Sequence, residues 1–518
     1  MFIHPQSKSI VLRVRNPQRI LDVLPRYSKL IDVPEGNVAV KHSIETATVL
    51  RNLGIKVPSP IVVDYNWPGK FTPFEHQKVM ADFLTMTHKG FNLSEMGCGK
   101  SAATLWAADY LMSKGLVKRA LILAPLSTVE RVWQQDIFDI LMHRSCVITH
   151  GDREHRKAAF GMDVDFYICN HDGIKRRDVA KMVRSRKDID LVILDEASFF
   201  RNAQTDAYKF LAWSIENKPR FWPITGTPFA NGPCDAWALA RLVSPDRVPK
   251  FFGHFKQMVM TPVTSFKWVP KKGSEEIAYA AMQPAVRFKK SDCLDLPPVT
   301  VMDRQAQLTK EQTDHYKSMR NDMVIRAKSG PINAVNAADA ITKLRQVFCG
   351  SVKNPATGVY EVIPHAPRSQ VLLDAVREAS AKVIVIVPFT GIIYALEQEL
   401  SKHWTVAVLN GQVSVNQRNK IVRDFKTQAD PHILLCHPQV MSHGLNLVEA
   451  DTLIFYAPIY SHDQYSQVVE RFNRSGQTRN MTVVRIAAHS LEWDIYRAVD
   501  NKAITQHTIL SLYRGVTQ

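Results

Sequence analysis

Short apolar runs recur along the chain, and each gives way to a stretch in which apolar residues return with helical period. Ala120 to Ala124, Leu191 to Leu194, Val383 to Val387, His432 to Cys436 and Thr452 to Tyr456 are such runs. They do not alternate apolar with polar positions, as a strand with one wet face does. They therefore predict strands buried on both faces, in parallel sheets covered by helices. The runs fall into two clusters, at about 90–225 and 380–490. Between them, Phe251 to Pro298 is rich in Lys, Pro and aromatic residues, and Glu311 to Val347 reads as mostly helical. The pattern predicts an α/β chain of two lobes joined by a partly helical connector. The expected divisions are a small N-terminal accessory domain (1–70), a first lobe (71–247), a connector with helical insertions (248–365) and a second lobe (366–518). No solenoid repeat or low-complexity tract interrupts this order.

Composition changes the picture in one respect. Of the 518 residues, 45% are hydrophobic and 22% charged, as in ordinary globular proteins, but the formal net charge is +17. Such a surplus either serves solubility or favours a polyanion, because each neutralised phosphate releases counterions. The seven cysteines are scattered, with no CxxC pair, and the loose group His143, Cys146, His150 lacks a second ligand pair for zinc. Reduced thiols in a cytoplasmic protein are expected. The longest apolar runs, such as Val383 to Phe389, fall far short of the roughly 20 residues a membrane span needs. The N-terminus lacks a signal-peptide layout.

Candidate chemistry begins at Phe91-Asn-Leu-Ser-Glu-Met-Gly-Cys-Gly-Lys-Ser101. This stretch predicts a short strand running into a helix, Ala102 to Met112, that Gly115 closes. Gly97 and Gly99 permit a backbone curl whose N–H groups point at phosphate oxygens. Lys100 suits the β and γ phosphates, and the Ser101 hydroxyl suits Mg²⁺. The helix N-terminus adds its positive dipole end. The strict pattern GxxxxGK[ST] asks for glycine where this chain has Ser94, so the loop alone reads equally as a glycine-rich turn; the strand before it and the helix after it favour a phosphate loop. Downstream, Asp190-Leu-Val-Ile-Leu-Asp-Glu-Ala-Ser198 is an apolar strand that delivers two carboxylates at its end, where ligands bind in parallel sheets. Asp195 fits a Mg²⁺ partner and Glu196 a general base for water.

Further stretches extend the series. Phe74-Glu-His-Gln77 precedes the phosphate loop, and Leu123-Ala-Pro-Leu-Ser127 follows it. Asp195-Glu-Ala-Ser-Phe-Phe-Arg-Asn202 and Thr225-Gly-Thr-Pro-Phe-Ala-Asn231 complete the first cluster. Leu296-Pro-Pro298 and Leu344-Arg-Gln346 lie in the connector. The second cluster holds Pro388-Phe-Thr390, then Asn410-Gly411 with Gln417-Arg418 and Phe425. Ser442-His-Gly-Leu-Asn-Leu-Val-Glu-Ala-Asp451 and Gln467-Val-Val-Glu-Arg-Phe-Asn-Arg-Ser-Gly-Gln477 end it. In this order, over about residues 71–490, the stretches resemble the motifs of the Swi/Snf-related branch of superfamily-two helicase-like ATPases.

That resemblance implies two RecA-like lobes of the P-loop NTPase type, with ATP and Mg²⁺ bound. It makes Gln77 the adenine reader and places Glu95, Met96, Gly97, Cys98, Gly99, Lys100 and Ser101, with Gly444 and Asn446 of the second lobe, around the nucleotide. Lys100, Asp195, Glu196, Arg471 and Arg474 become the catalytic set, with Ser101 and Asp195 on the metal. Arg471 and Arg474, three apart, would share one helix face and act as arginine fingers. Thr225, Gly226, Thr227 and Gln467 become coupling residues. Pro125, Ser127, Asn170, Phe389, Thr390 and Ser442 become candidate DNA contacts. Two departures stand out: Ser198 replaces the usual histidine of the acid box, and Ser442-His443 opens a stretch where glycine or alanine-glycine is commoner.

The implied function is a motor that hydrolyses ATP to move along double-stranded or branched DNA, remodelling forks or bound proteins. Phosphate contacts carry no sequence information, so no sequence preference is expected. By analogy with compact bacterial or phage members, the expected setting is a bacterial or phage-infected cytoplasm, with replication or repair proteins as further partners and no membrane. Three basic stretches read either as solvated faces or as DNA contacts: Lys175, Arg176, Arg177, Lys181, Arg184, Arg186 and Lys187; Lys267-Trp-Val-Pro-Lys-Lys272; and Arg287-Phe-Lys-Lys290. Two other functions remain open. A strand-separating DNA or RNA helicase shares the glutamine motif and acid box, and a non-catalytic DNA-binding scaffold would need no intact ATP site.

Overall fold

The computed structural model describes residues 1–518 apart from 5–6, 33–36, 230–231, 264–267, 294–296, 330–333, 354–356, 358, 442–446, 475, 502–505 and 518. The chain divides into two units, Met1–Cys293 and Leu294–Gln518.

The first unit opens with a small antiparallel sheet of β1 (Phe2–His4), β2 (Ser9–Arg13), β3 (Ser28–Asp32) and β4 (Asn37–Lys41), ordered β1-β2-β4-β3. Ile10, Leu12, Val38 and Val40 alternate inward and pack on Ile20, Ala47 and Leu50 of two helices. The helix Ile44–Asn52 starts from a reciprocal cap, in which Ser43 Oγ accepts from Thr46 N–H and Thr46 Oγ1 from Ser43 N–H. Arg51 ties this module to the following helix Glu75–Met86 through Asp82 at 2.9 Å.

The main sheet of this unit uses β5 (Phe91–Asn92), β6 (Arg119–Ala124), β7 (Cys146–Ile148), β8 (Phe166–Asn170), β9 (Ile189–Leu194) and β10 (Arg220–Pro223). A hairpin, β11 (Met260–Pro262) and β12 (Trp268–Pro270), precedes β13 (Ala285–Val286). Five strands run parallel in the order β10-β9-β6-β8-β7. The parallel pair β13-β5 joins them through bridges from Lys89 to Phe221 and from Asn92 to Ile224. Along β6, Leu121 and Leu123 enter one core cluster with Tyr167 and Val192, while Ala120 and Ile122 enter another with Phe166 and Ile193. Both sheet faces are thus covered, which is why the strand sequences do not alternate.

The second unit contains β14 (Val299–Gln305), a hairpin of β15 (Ser351–Lys353) and β16 (Tyr360–Val362), β17 (Lys382–Ile386), β18 (Val406–Leu409), β19 (Ile433–Cys436), β20 (Ala450–Phe455) and β21 (Met481–Ala487). Its parallel sheet is ordered β14-β21-β20-β17-β19-β18. Val383 and Val385 face one cluster and Ile384 and Ile386 the other, again burying both faces. The stretch read as helical forms the helices Lys310–Ser329 and Ala334–Cys349, which pack on the C-terminal helix Gln506–Thr517 through Met323, Ile341, Leu344 and Tyr513. Among the described residues no helix is long and apolar enough to cross a membrane.

Candidate functional site

The loop between β5 and the helix Lys100–Ser113 curls where glycine permits it. Gly97 and Gly99 take φ of 86° and 71°, the left-handed region that a Cβ disfavours. At Gly99 a Cβ would also lie 1.8 Å from Gln77 Nε2, so the glutamine amide sits directly against the loop. Gln77 Oε1 accepts from Phe74 N–H at 2.9 Å, and His76 Nε2 lies 3.0 Å from the Cys98 carbonyl. The Lys100 ammonium donates to the Glu95 carbonyl at 2.9 Å. Burial raises the Cys98 thiol to about 11, and it packs with Met80, Ala103 and Val286 as an inert core group.

Ser94 is built into this arrangement. Its side chain is fully buried, and its Oγ accepts from Phe288 N–H at 3.1 Å. Glu95 N–H donates to the Phe288 carbonyl at 2.9 Å, and Glu95 Oε2 accepts from Lys290 N–H at 2.9 Å. The Lys290 side chain passes over Gly97, with Cε 3.6 Å and Nζ 3.8 Å from where a Cβ would stand. The basic stretch Arg287-Phe-Lys-Lys290 therefore clamps the phosphate loop, a placement that charge alone did not reveal.

Asp195 and Glu196 follow the carboxyl end of β9. Asp195 Oδ1 accepts from Glu196 N–H at 3.0 Å, and Asp195 Oδ2 accepts from the indole N–H of buried Trp133 at 2.9 Å. His171 Nε2 lies 2.8 Å from the Asp195 carbonyl, and burial pushes this imidazole down to about 4. Glu196 takes φ 46° and ψ 52°, a left-handed conformation that a non-glycine residue holds only against strain. Ala197 N–H then donates to the Ile224 carbonyl, which ties the acid box to the end of β10. Ser198 supplies its carbonyl to the Arg201 guanidinium at 3.1 Å.

The end of β10 closes the site. Thr225 N–H donates to the Asn92 carbonyl at 3.1 Å, and Thr225 Oγ1 accepts from Thr227 N–H at 3.2 Å. A Cβ at Gly226 would come within 3.0 Å of Met96 Cγ and 3.5 Å of Lys100 Nζ, so glycine lets this segment approach the phosphate loop without displacing Met96. The coupling stretch Thr225-Gly226-Thr227 and the phosphate loop are thus brought together, while Ala230 and Asn231 lie outside the described residues.

The candidate DNA residues of this unit stand on the same sheet edge. Half-buried Pro125 and Ser127 follow β6, and Asn170, which is buried, ends β8. Of the basic run on the helix Arg177–Ser185 and its flanks, Lys175 pairs with Asp172, Arg184 with Glu216 and Arg186 with Asp188. Arg176, Arg177, Lys181 and Lys187 are exposed. In the hairpin β11–β12, Lys256 lies over the Trp268 ring and Lys271 donates to the Gln257 carbonyl, while Lys267 falls outside the described residues.

In the second unit Thr390 is exposed at the start of the helix Thr390–Leu400. Phe389 is instead 8% exposed, packed in the core beneath the Arg345 guanidinium at 5.1 Å, so its ring is not a free stacking surface. Gln467 and Arg471 are half-buried on the helix His462–Phe472. Arg474 lies past that helix, which ends at the cap Asn473, so the two arginines do not share a helical face; Arg474 Nε donates back to the Glu470 carbonyl at 3.3 Å. Gln477 is buried, and its Nε2 donates to the Ala450 carbonyl at 2.9 Å, fixing this loop to the start of β20. Ser442, Gly444 and Asn446, with Ser475 and Leu296, lie outside the described residues.

These features coincide with two family models. The SNF2-related domain matches residues 75–353, and the helicase conserved C-terminal domain matches 368–476. The chain belongs to the SNF2-related family. Its two parallel α/β sheets are those of the two-lobed, RecA-like fold expected from the sequence.

This SNF2-related chain is 26% identical over 409 residues to an uncharacterized ATP-dependent helicase of Mycoplasma genitalium, covering 77% of this chain and 38% of that protein. It is 23% identical over 462 residues to the ATP-dependent DNA helicase DDM1 of Arabidopsis thaliana, covering 81% of this chain and 59% of that one. With protein p41 of Acyrthosiphon pisum secondary endosymbiont phage 1 it shares 22% identity over 426 residues, covering 79% of this chain and 90% of p41. The chain therefore spans well under two thirds of the first two relatives. Among solved structures, the Sulfolobus solfataricus SWI2/SNF2 ATPase core in complex with dsDNA aligns at a TM-score of 0.42 and 19% identity, over 87% of this chain and 95% of that one.

Proposed function

We propose that this chain is an ATP-hydrolysing motor that moves along double-stranded DNA. The observation that carries the reading is the convergence of the phosphate loop, the Asp195-Glu196 pair and Thr225-Gly226-Thr227 at the carboxyl ends of neighbouring parallel strands. The close approach of Gly226 to Met96 and Lys100 makes one site of two of these stretches. The names of the relatives as ATP-dependent helicases support ATP as the substrate, and the DNA helicase among them supports DNA as the track. The net charge of +17 suits a polyanion.

In this reading the loop N–H groups and Lys100 hold the β and γ phosphates, and Gln77 reads the adenine. Ser101 and Asp195 offer the hard oxygen donors that Mg²⁺ takes from a protein when phosphates and waters supply the rest. Bound there, Mg²⁺ would supply charge neutralisation for the transferred phosphate. Glu196 orients and deprotonates the attacking water, and its fixed left-handed backbone keeps the carboxylate aimed. Arg471 and Arg474 are the second unit's candidates for stabilising the charge that develops on the γ-phosphate oxygens. Residues 1–70 form an accessory module, and the motor's work is fork or branch remodelling through phosphate contacts, which carry no sequence information.

The test compares ATP turnover without nucleic acid and with single-stranded DNA, duplex DNA and duplex RNA, in the native chain and in Lys100→Ala. Turnover should rise on duplex DNA and vanish in the variant. Equal turnover without nucleic acid would refute the motor, and preferential stimulation by RNA would refute the DNA track. A triplex-displacement assay beside a strand-separation assay then distinguishes translocation from unwinding.

A further inference from the structure

Asp195, at the end of β9, is held by the segments that leave β6, its neighbour in the sheet, and β8, one strand further on. The segment after β6 passes Pro125 and Ser127 and enters a π-helical turn, Val129–Gln134. From that turn Trp133, fully buried, donates its indole N–H to Asp195 Oδ2 at 2.9 Å. The segment after β8 passes Asn170 and places His171 Nε2 2.8 Å from the Asp195 carbonyl. A carbonyl only accepts, so His171 is the donor. Of the candidate DNA contacts of this unit, Asn170 adjoins His171, and Pro125 and Ser127 precede Trp133 by eight and six residues in one segment.

The carboxylate geometry gives this grip a consequence. Oδ1 accepts from Glu196 N–H and Oδ2 from the Trp133 indole. The orientation of the carboxylate, and with it the lone pairs left for a cation, depends on where the π-helical turn puts the indole. π-Turns are rare and concentrate at functional sites, because an extra residue in the turn re-aims the side chains that follow. A shift of the segment 125–134 against a phosphate backbone would move the indole, and a shift at Asn170 would move the imidazole.

We propose that Trp133 and His171 are positioning residues that transmit DNA contact at Pro125–Ser127 and Asn170 to the metal-binding carboxylate of Asp195. The proposal rests on the DNA-motor reading and adds the route by which the track controls the ATP site. The decisive variants are Trp133→Phe, which keeps a buried aromatic ring and removes only the donor, and the pair His171→Gln and His171→Leu, of which the first retains an N–H near the Nε2 position.

Three quantities separate positioning from packing: the melting temperature, the Mg²⁺ midpoint for binding a fluorescent ADP analogue without DNA, and the ratio of ATP turnover with and without duplex DNA. Trp133→Phe should melt close to the native chain and shift the Mg²⁺ midpoint upward by about tenfold, as expected for a lost partner of a metal ligand. It should also lose most of the DNA stimulation. His171→Leu should lose stimulation and His171→Gln should keep it. An unchanged Mg²⁺ midpoint and stimulation ratio in Trp133→Phe would overturn the proposal. So would a parallel fall in melting temperature, nucleotide binding and basal turnover, which would make Trp133 a packing residue. If the native chain shows no DNA stimulation, the motor reading and the DNA half of this proposal fall together, while the Mg²⁺ midpoint still decides whether the indole positions Asp195.

Discussion

Removing Arg368 should cost the second unit a large part of its stability, and the structure says how much. Arg368 and Glu492 are both wholly buried, with Arg368 Nη2 2.8 Å from Glu492 Oε1 and Nη1 3.0 Å from Oε2. The same guanidinium donates to the carbonyls of Tyr456, Phe348 and Ile486 at 2.9, 3.0 and 3.0 Å. It therefore joins the end of β20, the helix Ala334–Cys349 and β21 around one charge. Arg368→Met fills the space but strands the Glu492 carboxylate, which keeps Ala488 N–H as a donor at 2.8 Å, and deprives three carbonyls of a donor. Breaking a buried pair from one side costs about 3–5 kcal/mol. At roughly 2–4 °C per kcal/mol for a unit of this size, the melting temperature should fall by about 6–20 °C. The double variant Arg368→Met/Glu492→Gln removes the stranded charge, keeps the contact to Ala488 and should recover about half of the loss. Calorimetry of the full chain, with hydrogen exchange of the β20 and β21 amides to assign the transition, measures both. A fall below about 1 kcal/mol in the single variant, or a double variant worse than the single, would refute the reasoning, because either result means Glu492 is not left charged and buried.

Three further outcomes are expected. Gly99→Ala places a Cβ 1.8 Å from Gln77 Nε2 at a φ of 71°; the strain should cost about 1–3 kcal/mol of stability and affinity for a fluorescent ATP analogue should fall by at least about tenfold, and native affinity would remove Gln77 from the site. Ser94→Gly restores the strict loop pattern yet takes the acceptor from Phe288 N–H; it should destabilise the first unit by about 1 kcal/mol and weaken nucleotide binding, and tighter binding would refute the clamp. Burial holds His489 below the ordinary histidine value, and its Nδ1 accepts from Leu491 N–H at 3.1 Å. The neutral ring is the native form, so as pH falls below about 6.5 the unfolded chain takes up a proton that the native ring resists, and stability drops; above that value the contribution is restored. The urea midpoint of the second unit should decline from about pH 7 to pH 5, and His489→Asn, which keeps an acceptor, should flatten part of that decline; identical slopes would refute the assignment.

The conformation of the glycine loop was legible in the sequence because its requirements are local. A left-handed backbone at Gly97 and Gly99 needs glycine, and the strand before and the helix after are written in the adjacent residues. The doubly covered strands were legible for a similar reason: burial on both faces leaves a run of apolar residues that nothing else explains. Where exposure is mixed, the signal fades. β14 carries the sequence Val-Thr-Val-Met-Asp-Arg-Gln with no buried position, and its place at the edge of the second sheet follows only from pairing with β21. Arg474 was read as helical from its three-residue spacing to Arg471, but Asn473 caps the helix first. The aromatic Phe389 was read as a surface group, whereas Arg345 covers it from a distant helix.

The features that sequence reasoning missed share one physical property: each is a contact between residues far apart in the chain, made by side chains that have an ordinary local explanation. Trp133 is fully buried, and nothing in its neighbouring residues shows that its indole N–H ends on Asp195. Ser94 reads as a defect in a glycine pattern, yet its hydroxyl accepts from Phe288 N–H. Lys290 reads as one cation in a basic run, yet it crosses Gly97. These contacts surround the phosphate loop and acid box without altering either motif. Binding a triphosphate needs residue types that recur in any P-loop ATPase, so a motif reveals it. Control of that site by a track needs only that something fixed to the track-facing loops touches a catalytic group, and many side chains satisfy this. In the proposed motor, control of the ATP site rests on tertiary contacts rather than on motifs, and Trp133 and His171 are the side chains of this chain that contact Asp195 in that way.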